Sequence, residues 1–128
     1  MTGTQRPHAL LLRTDGSFEL IDWPKEGQLN ALYQAIGCQN IDAVDITDQL
    51  TMWLDDESLI NCSPLNRGAT LLYAAHRPPH QHYHGHAVIT GGTDRHGNTL
   101  PLTHDQITTL IEFHLTHTTA AVPAQRTK

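Results

Sequence analysis

Lysine and arginine are absent from residues 26–66, although that stretch holds seven carboxylates: Glu26, Asp42, Asp45, Asp48, Asp55, Asp56 and Glu57. The eight basic residues lie outside it and form no cluster. Gripping a phosphate backbone takes grouped Lys or Arg that displace counterions. Nonspecific nucleic-acid binding is therefore disfavoured at neutral pH. An acidic face suits either solvent or a basic protein partner. Cysteine is nearly absent as well. Cys38 and Cys62 have no C-x-x-C spacing and make no secreted disulfide framework. Of the two, Cys62 precedes an expected helix and is the better candidate for an activated thiol. No apolar run approaches the ~20 residues that span a membrane. The segment "HALLLRTDG" is too short and too polar at its end for a signal-peptide core. A cytoplasmic protein with reduced thiols is expected. There is no G-x-S-x-G, no G-x-G-x-x-G and no P-loop. No catalytic residue is assigned, and a non-enzymatic role is favoured.

What the chain has in excess is histidine: ten in 128 residues. Five lie in "HRPPHQHYHGH", at His76, His80, His82, His84 and His86. Protonating all ten would turn a net charge of -5 into +5. Along an extended strand, alternate side chains stand ~6.6 Å apart on one face, and His80 and His86 would be ~20 Å apart. A single zinc ion would thus take one adjacent pair, His84 and His86, with a third ligand from His76, His96, Asp94 or a cysteine. Pro78-Pro79 favours a polyproline start, whose three-residue period spoils the alternation. The competing reading is a polar connection between helix and strand.

The length suits one domain, expected over residues 8–117, with poorly ordered ends at 1–7 and 118–128. Residues 9–13 (ALLLR) read as a strand, turned by Asp15-Gly16 into a second at 18–22 (FELID). Leu29, Leu32, Tyr33 and Ile36 make the apolar stripe of a helix from about residue 25, closed by Gly37. "NIDAVDI" is a third strand. In "LTMWLDD", Leu50, Met52 and Leu54 alternate with Thr51 and Trp53 as in a half-buried fourth strand. "DDES" marks a turn, and Leu59-Ile60 a short extended piece. Ser63 or Asn66 would cap a second helix that ends at Pro78-Pro79. "AVIT" is a compact fifth strand, and "GGTDRHGNT" a glycine-rich hairpin kept as a contact candidate. Thr103 and Gln106 form a capping-box pattern ahead of a last helix ending near His117. Its stripe of Ile107, Leu110, Ile111 and His114 makes His114 a core residue rather than a ligand. The order β-β-α-β-β-α-β-α indicates an α+β domain, with a small mainly antiparallel sheet and helices on one face.

The segments "LNALYQAIGCQNIDAVDI", "LTMWLDDESLINCSPLNRGATLLY" and "GHAVITGGTDRHGNTLPLTHDQI" resemble an uncharacterised bacterial and phage family, domain of unknown function 3846. The likeness spans roughly residues 9–112. Its telling pieces are the helix-Gly-strand step at Gly37–Val44, the turn "DDES", and "PLN" with Ala69. The resemblance implies an accessory protein of actinobacteria or of their phages, plasmids and other mobile elements. It implies no activity and no functional residues.

Three functional expectations follow. The first is a protein that binds a basic partner through an acidic surface, with Trp53, Asp55, Asp56 and Glu57 as interface candidates. In that strand Trp53 faces either solvent or a second packed layer. The second is a zinc-dependent, hydrolytic protein using the His80–His86 stretch. The third is a small-ligand pocket between sheet and helices. Oligomeric state is left open.

Overall fold

A computed structural model describes residues 7–77 and 82–119. Expectations for the two ends beyond these limits, and for His80, lie outside the described residues. The observed order is β1 His8–Leu12, β2 Phe18–Asp22, α1 Gln28–Ile36, β3 Ile41–Thr47, β4 Leu50–Asp55, α2 Arg67–His76, β5 Ala87–Gly91 and α3 His104–His114. A single π-helical turn, Leu115–Thr119, extends α3. The five strands form one antiparallel sheet in the order β2-β1-β5-β4-β3. This is the α+β class and the element order that the sequence indicates. "AVITG" has no polar residue to present to solvent except Thr90, and it takes the central place, buried along its whole length.

Alternation along the strands separates two cores. Leu10, Leu12, Met52, Leu54 and Ile89 point to one side, where Ala69 and Leu72 of α2 and Leu110 of α3 meet them. Ala9, Leu11 and Val88 point to the other side, where Leu32 and Ile36 of α1 and the indole of Trp23 cover them. The helices therefore lie on both faces, and the single covered face expected from the sequence does not hold for α1. "ALLL" is the reason: a strand with apolar residues at every position needs cover on both sides. Leu29 drops out of the expected stripe and stands 54% exposed, because α1 packs through Leu32, Ala35 and Ile36 instead. Helix α1 also starts three residues later than expected, behind Gly27 with φ 73°.

Asn66, not Ser63, caps α2. Its side-chain oxygen accepts from the Ala69 N–H at 3.0 Å. Its amide donates to the Leu12 carbonyl at 3.0 Å and to the Gly85 carbonyl at 2.8 Å. Its own N–H donates to the Tyr83 carbonyl. A fully buried amide is thereby satisfied on every side, tying the start of α2 to the end of β1 and to the chain entering β5. In α3 the capping box forms as expected between Thr103 and Gln106. His114 is buried, and its Nε2–H donates to the Gly16 carbonyl at 2.7 Å. Gly68 permits this: a Cβ there would stand 2.7 Å from the imidazole.

Candidate acidic cleft

The expected extended piece at Leu59-Ile60 is not a strand. Residues 56–62 form successive turns, and Leu59 and Ile60 stand 72% and 78% exposed at the tip. The loop is tied from within. Asp55 accepts from the Glu57 N–H at 2.8 Å and from the Asn61 amide at 3.0 Å. Backbone bonds join Ser58 to Asp55, Asn61 to Glu57, Cys62 to Leu59 and Ser63 to Ser58. The two aliphatic side chains are thus held out by a loop whose polar groups are occupied with one another.

Below the loop lies a cleft of about 340 Å³. Val44, Leu54, Leu59, Ile60 and Tyr83 are its apolar lining, Asp42, Asp55, Asp56 and Glu57 its carboxylates, and His82 and His84 line it from the segment that leads into β5. Asp56 and Glu57 are exposed, whereas Asp55 spends its carboxylate on the loop. Asp42 accepts from the Ala43 N–H at 3.0 Å, on edge strand β3. Tyr83 is buried and meets Tyr73 edge to face, with centroids 5.2 Å apart. Burial, and then Tyr73 beside it, push its phenol up to about 12.

The sequence candidates separate. Trp53 is partly buried against the core on the α1 side and donates its indole N–H to the Thr90 hydroxyl at 2.9 Å, the packed-layer setting of the two that the sequence left open. His84 and His86 do not share a face. Gly85, at φ 83°, breaks the alternation between them. His84 lines the acidic cleft, with Nδ1–H donating to the Ser63 carbonyl at 3.1 Å. His86 lies on the α1 side of the sheet beside Leu11, Ile21 and Ala35, and its Nδ1 accepts from the Thr14 N–H at 3.3 Å. His76 donates Nδ1–H to the Leu72 carbonyl at the end of α2. Asp94 accepts from the backbone N–H groups of His96 and Asn98. The Asn98 and His96 bonds hold its carboxyl below the usual range. That locks the glycine-rich hairpin, with His96 exposed on it. Among the described residues no three His, Cys, Asp or Glu side chains are grouped to hold a metal. The proposed set of His84 and His86 with His76, His96 or Asp94 is thus not assembled.

Both cysteines are free thiols. Cys62 is exposed in the loop, and α2 begins only at Arg67, so no helix terminus activates it. Burial raises the Cys38 thiol, with the nearby Asp55 charge adding to it. Reading the sequence did not single out four members of the cleft, Asp42, Leu59, Ile60 and Tyr83. Tyr83 lies among the histidines, Asp42 reads as one of seven spread carboxylates, and Leu59-Ile60 reads as a short extended piece. The available signal for the last was an apolar pair enclosed by "DDES" and "NCSP" without alternation.

The family model for a domain of unknown function (DUF3846) matches residues 6–114. The chain belongs to this family. No curated protein and no solved structure matches it. The segment "PLN" with Ala69 contains the buried cap Asn66 and the Ala69 N–H that donates to it. Among the described residues no helix is long and apolar enough to cross a membrane.

Proposed function

We propose that this DUF3846 chain is a non-enzymatic interaction protein that binds a basic protein segment at the acidic cleft. The carrying observation is the display of Leu59 and Ile60, 72% and 78% exposed, on a loop rimmed by Asp56 and Glu57. They are the most exposed of the large apolar side chains among the described residues, ahead of Leu29 at 54%. Two together at a loop tip fit a contact that is completed by a partner. Because the loop is already tied internally, less ordering entropy is lost on binding. The carboxylates select against acidic surfaces and steer a Lys- or Arg-bearing segment towards the cleft. Such a segment would place an aliphatic or aromatic side chain against Leu59 and Ile60, with its cations over Asp42, Asp56 and Glu57. The setting we infer is the cytoplasm of a bacterium, with the protein encoded by the host or by a phage or plasmid.

The test is capture of partners from a lysate of the native host with the wild-type chain, L59S/I60S and D56N/E57Q. The reading expects a basic protein that the wild type retains, that salt weakens, and that both double variants lose. Equal capture by all three chains would refute it.

A further inference from the structure

The sheet ends in two edge strands, β3 and β2, and their outer sides differ. That of β3 is guarded. The Ala43 N–H donates to the Asp42 carboxylate at 3.0 Å, the Ile46 carbonyl accepts from the Arg77 guanidinium at 3.3 Å, and the register shifts between Asp45 and Thr47. Features of this kind keep an edge from pairing with another chain. β2 carries none of them among the described residues. Its register with β1 runs without a shift from Phe18 to Asp22. The Arg13 N–H donates to the Ser17 carbonyl and the Trp23 N–H to the Pro7 carbonyl, so Glu19 and Ile21 between them also face β1. The backbone groups of Phe18 and Leu20 therefore point away from the sheet, where they meet no partner among the described residues. The Leu20 side chain, 38% exposed, stands beside them.

Charge and register point to one occupant. The carboxylates of β2 are balanced within the chain: Arg13 pairs with Glu19, and the His8 imidazole stands 3.7 Å from the Asp22 carboxylate. The carboxylates of β3, β4 and the loop at 56–62 lie at the opposite edge, ~19 Å away across four strand spacings. Two copies that meet at β2 thus keep their acidic edges apart despite a net charge of -5 each. One antiparallel register of β2 on β2 matches all five residues. It sets Leu20 opposite the second copy's Leu20, Phe18 opposite its Asp22, and Glu19 opposite its Ile21. No two carboxylates stand directly opposite, and the outward-facing residues are the ones that bond across the pair. We propose that β2 pairs in this register with β2 of a second copy, about a two-fold axis at Leu20, so that the two sheets continue into one another.

Sedimentation of the full chain over a concentration series tests it. The wild type should pass from 14.2 kDa to twice that mass as concentration rises. L20P removes the N–H at the centre of the pair and none of the bonds to β1, and L20K sets two ammonium groups against each other on the axis. Both should raise the dissociation constant at least about tenfold, with the monomer still folded by circular dichroism. In a C62S background, L20C should give a disulfide-linked dimer on oxidation, because the two Cα atoms would stand ~5.5 Å apart. D22C, ~14 Å from its counterpart, should not. A chain that stays monomeric at about 1 mM would overturn the proposal. So would a dimer that L20K leaves unchanged, or that D22C cross-links as readily as L20C. Protection of the Leu20 amide from hydrogen exchange in the monomer would also overturn it, because a segment of the same chain would then cover the edge. The acidic cleft lies at the other edge of the sheet, so the two readings fail separately.

Discussion

The two walls of the acidic cleft use their side chains in opposite ways. The histidine wall leaves His82 exposed but ties its other groups to the fold: His84 to the Ser63 carbonyl, and Gly85 to Asn66 and Pro64 through its backbone, while Tyr83 goes into the core. The acidic wall ties up Asp55 and turns Leu59 and Ile60 outward. The first wall's bonds serve the fold, whereas the second leaves an aliphatic pair exposed. A histidine-rich stretch is conspicuous in a sequence, and an exposed aliphatic pair is not.

The contrast can be broken first on the structural side. Asn66→Ala removes three side-chain hydrogen bonds and leaves buried carbonyls of Leu12 and Gly85 without that donor. We expect a loss of about 3 kcal/mol in urea unfolding. A value near zero would mean that the histidine wall carries no structural weight. Tyr83 gives the next effect. The folded chain keeps the phenol protonated up to about 12, whereas an unfolded tyrosine titrates at 10.0. Stability is intact below the lower value and falls as pH rises towards the upper one, by on the order of 2 kcal/mol. Tyr83→Phe should flatten that fall in denaturation curves recorded across the same range.

Leu59→Ser with Ile60→Ser sharpens the other side. Two exposed positions should change unfolding free energy by no more than about 0.5 kcal/mol, while partner capture is lost. A large destabilisation would show that the pair packs and is not displayed. The smallest effect concerns metal. Chelation by EDTA should leave the thermal midpoint within about 2 °C, since Gly85 keeps the His84 and His86 rings on different faces. A large drop on chelation would restore a metal role for the stretch.

Period-based features were legible from the residues alone. The strands alternate, α3 carries its capping box, and Gly37 closes α1 with φ 78°. The two-faced sheet was implicit in "ALLL", yet the helix stripe of α1 does not say which face it covers. The site was less legible because its geometry depends on contacts distant in sequence. Asn66 meets Leu12 across 54 residues, and Trp53 meets Thr90 across 37. Asp56 and Glu57 were identified by charge, whereas Leu59 and Ile60 read only as a short extended piece.

The central claim is that the loop at 56–62 is the contact surface. Hydrogen exchange of the chain with and without its captured partner tests it most directly. The account predicts new protection concentrated at residues 56–62 and 42–44. Protection elsewhere, with the loop exchanging at its free rate, would contradict it.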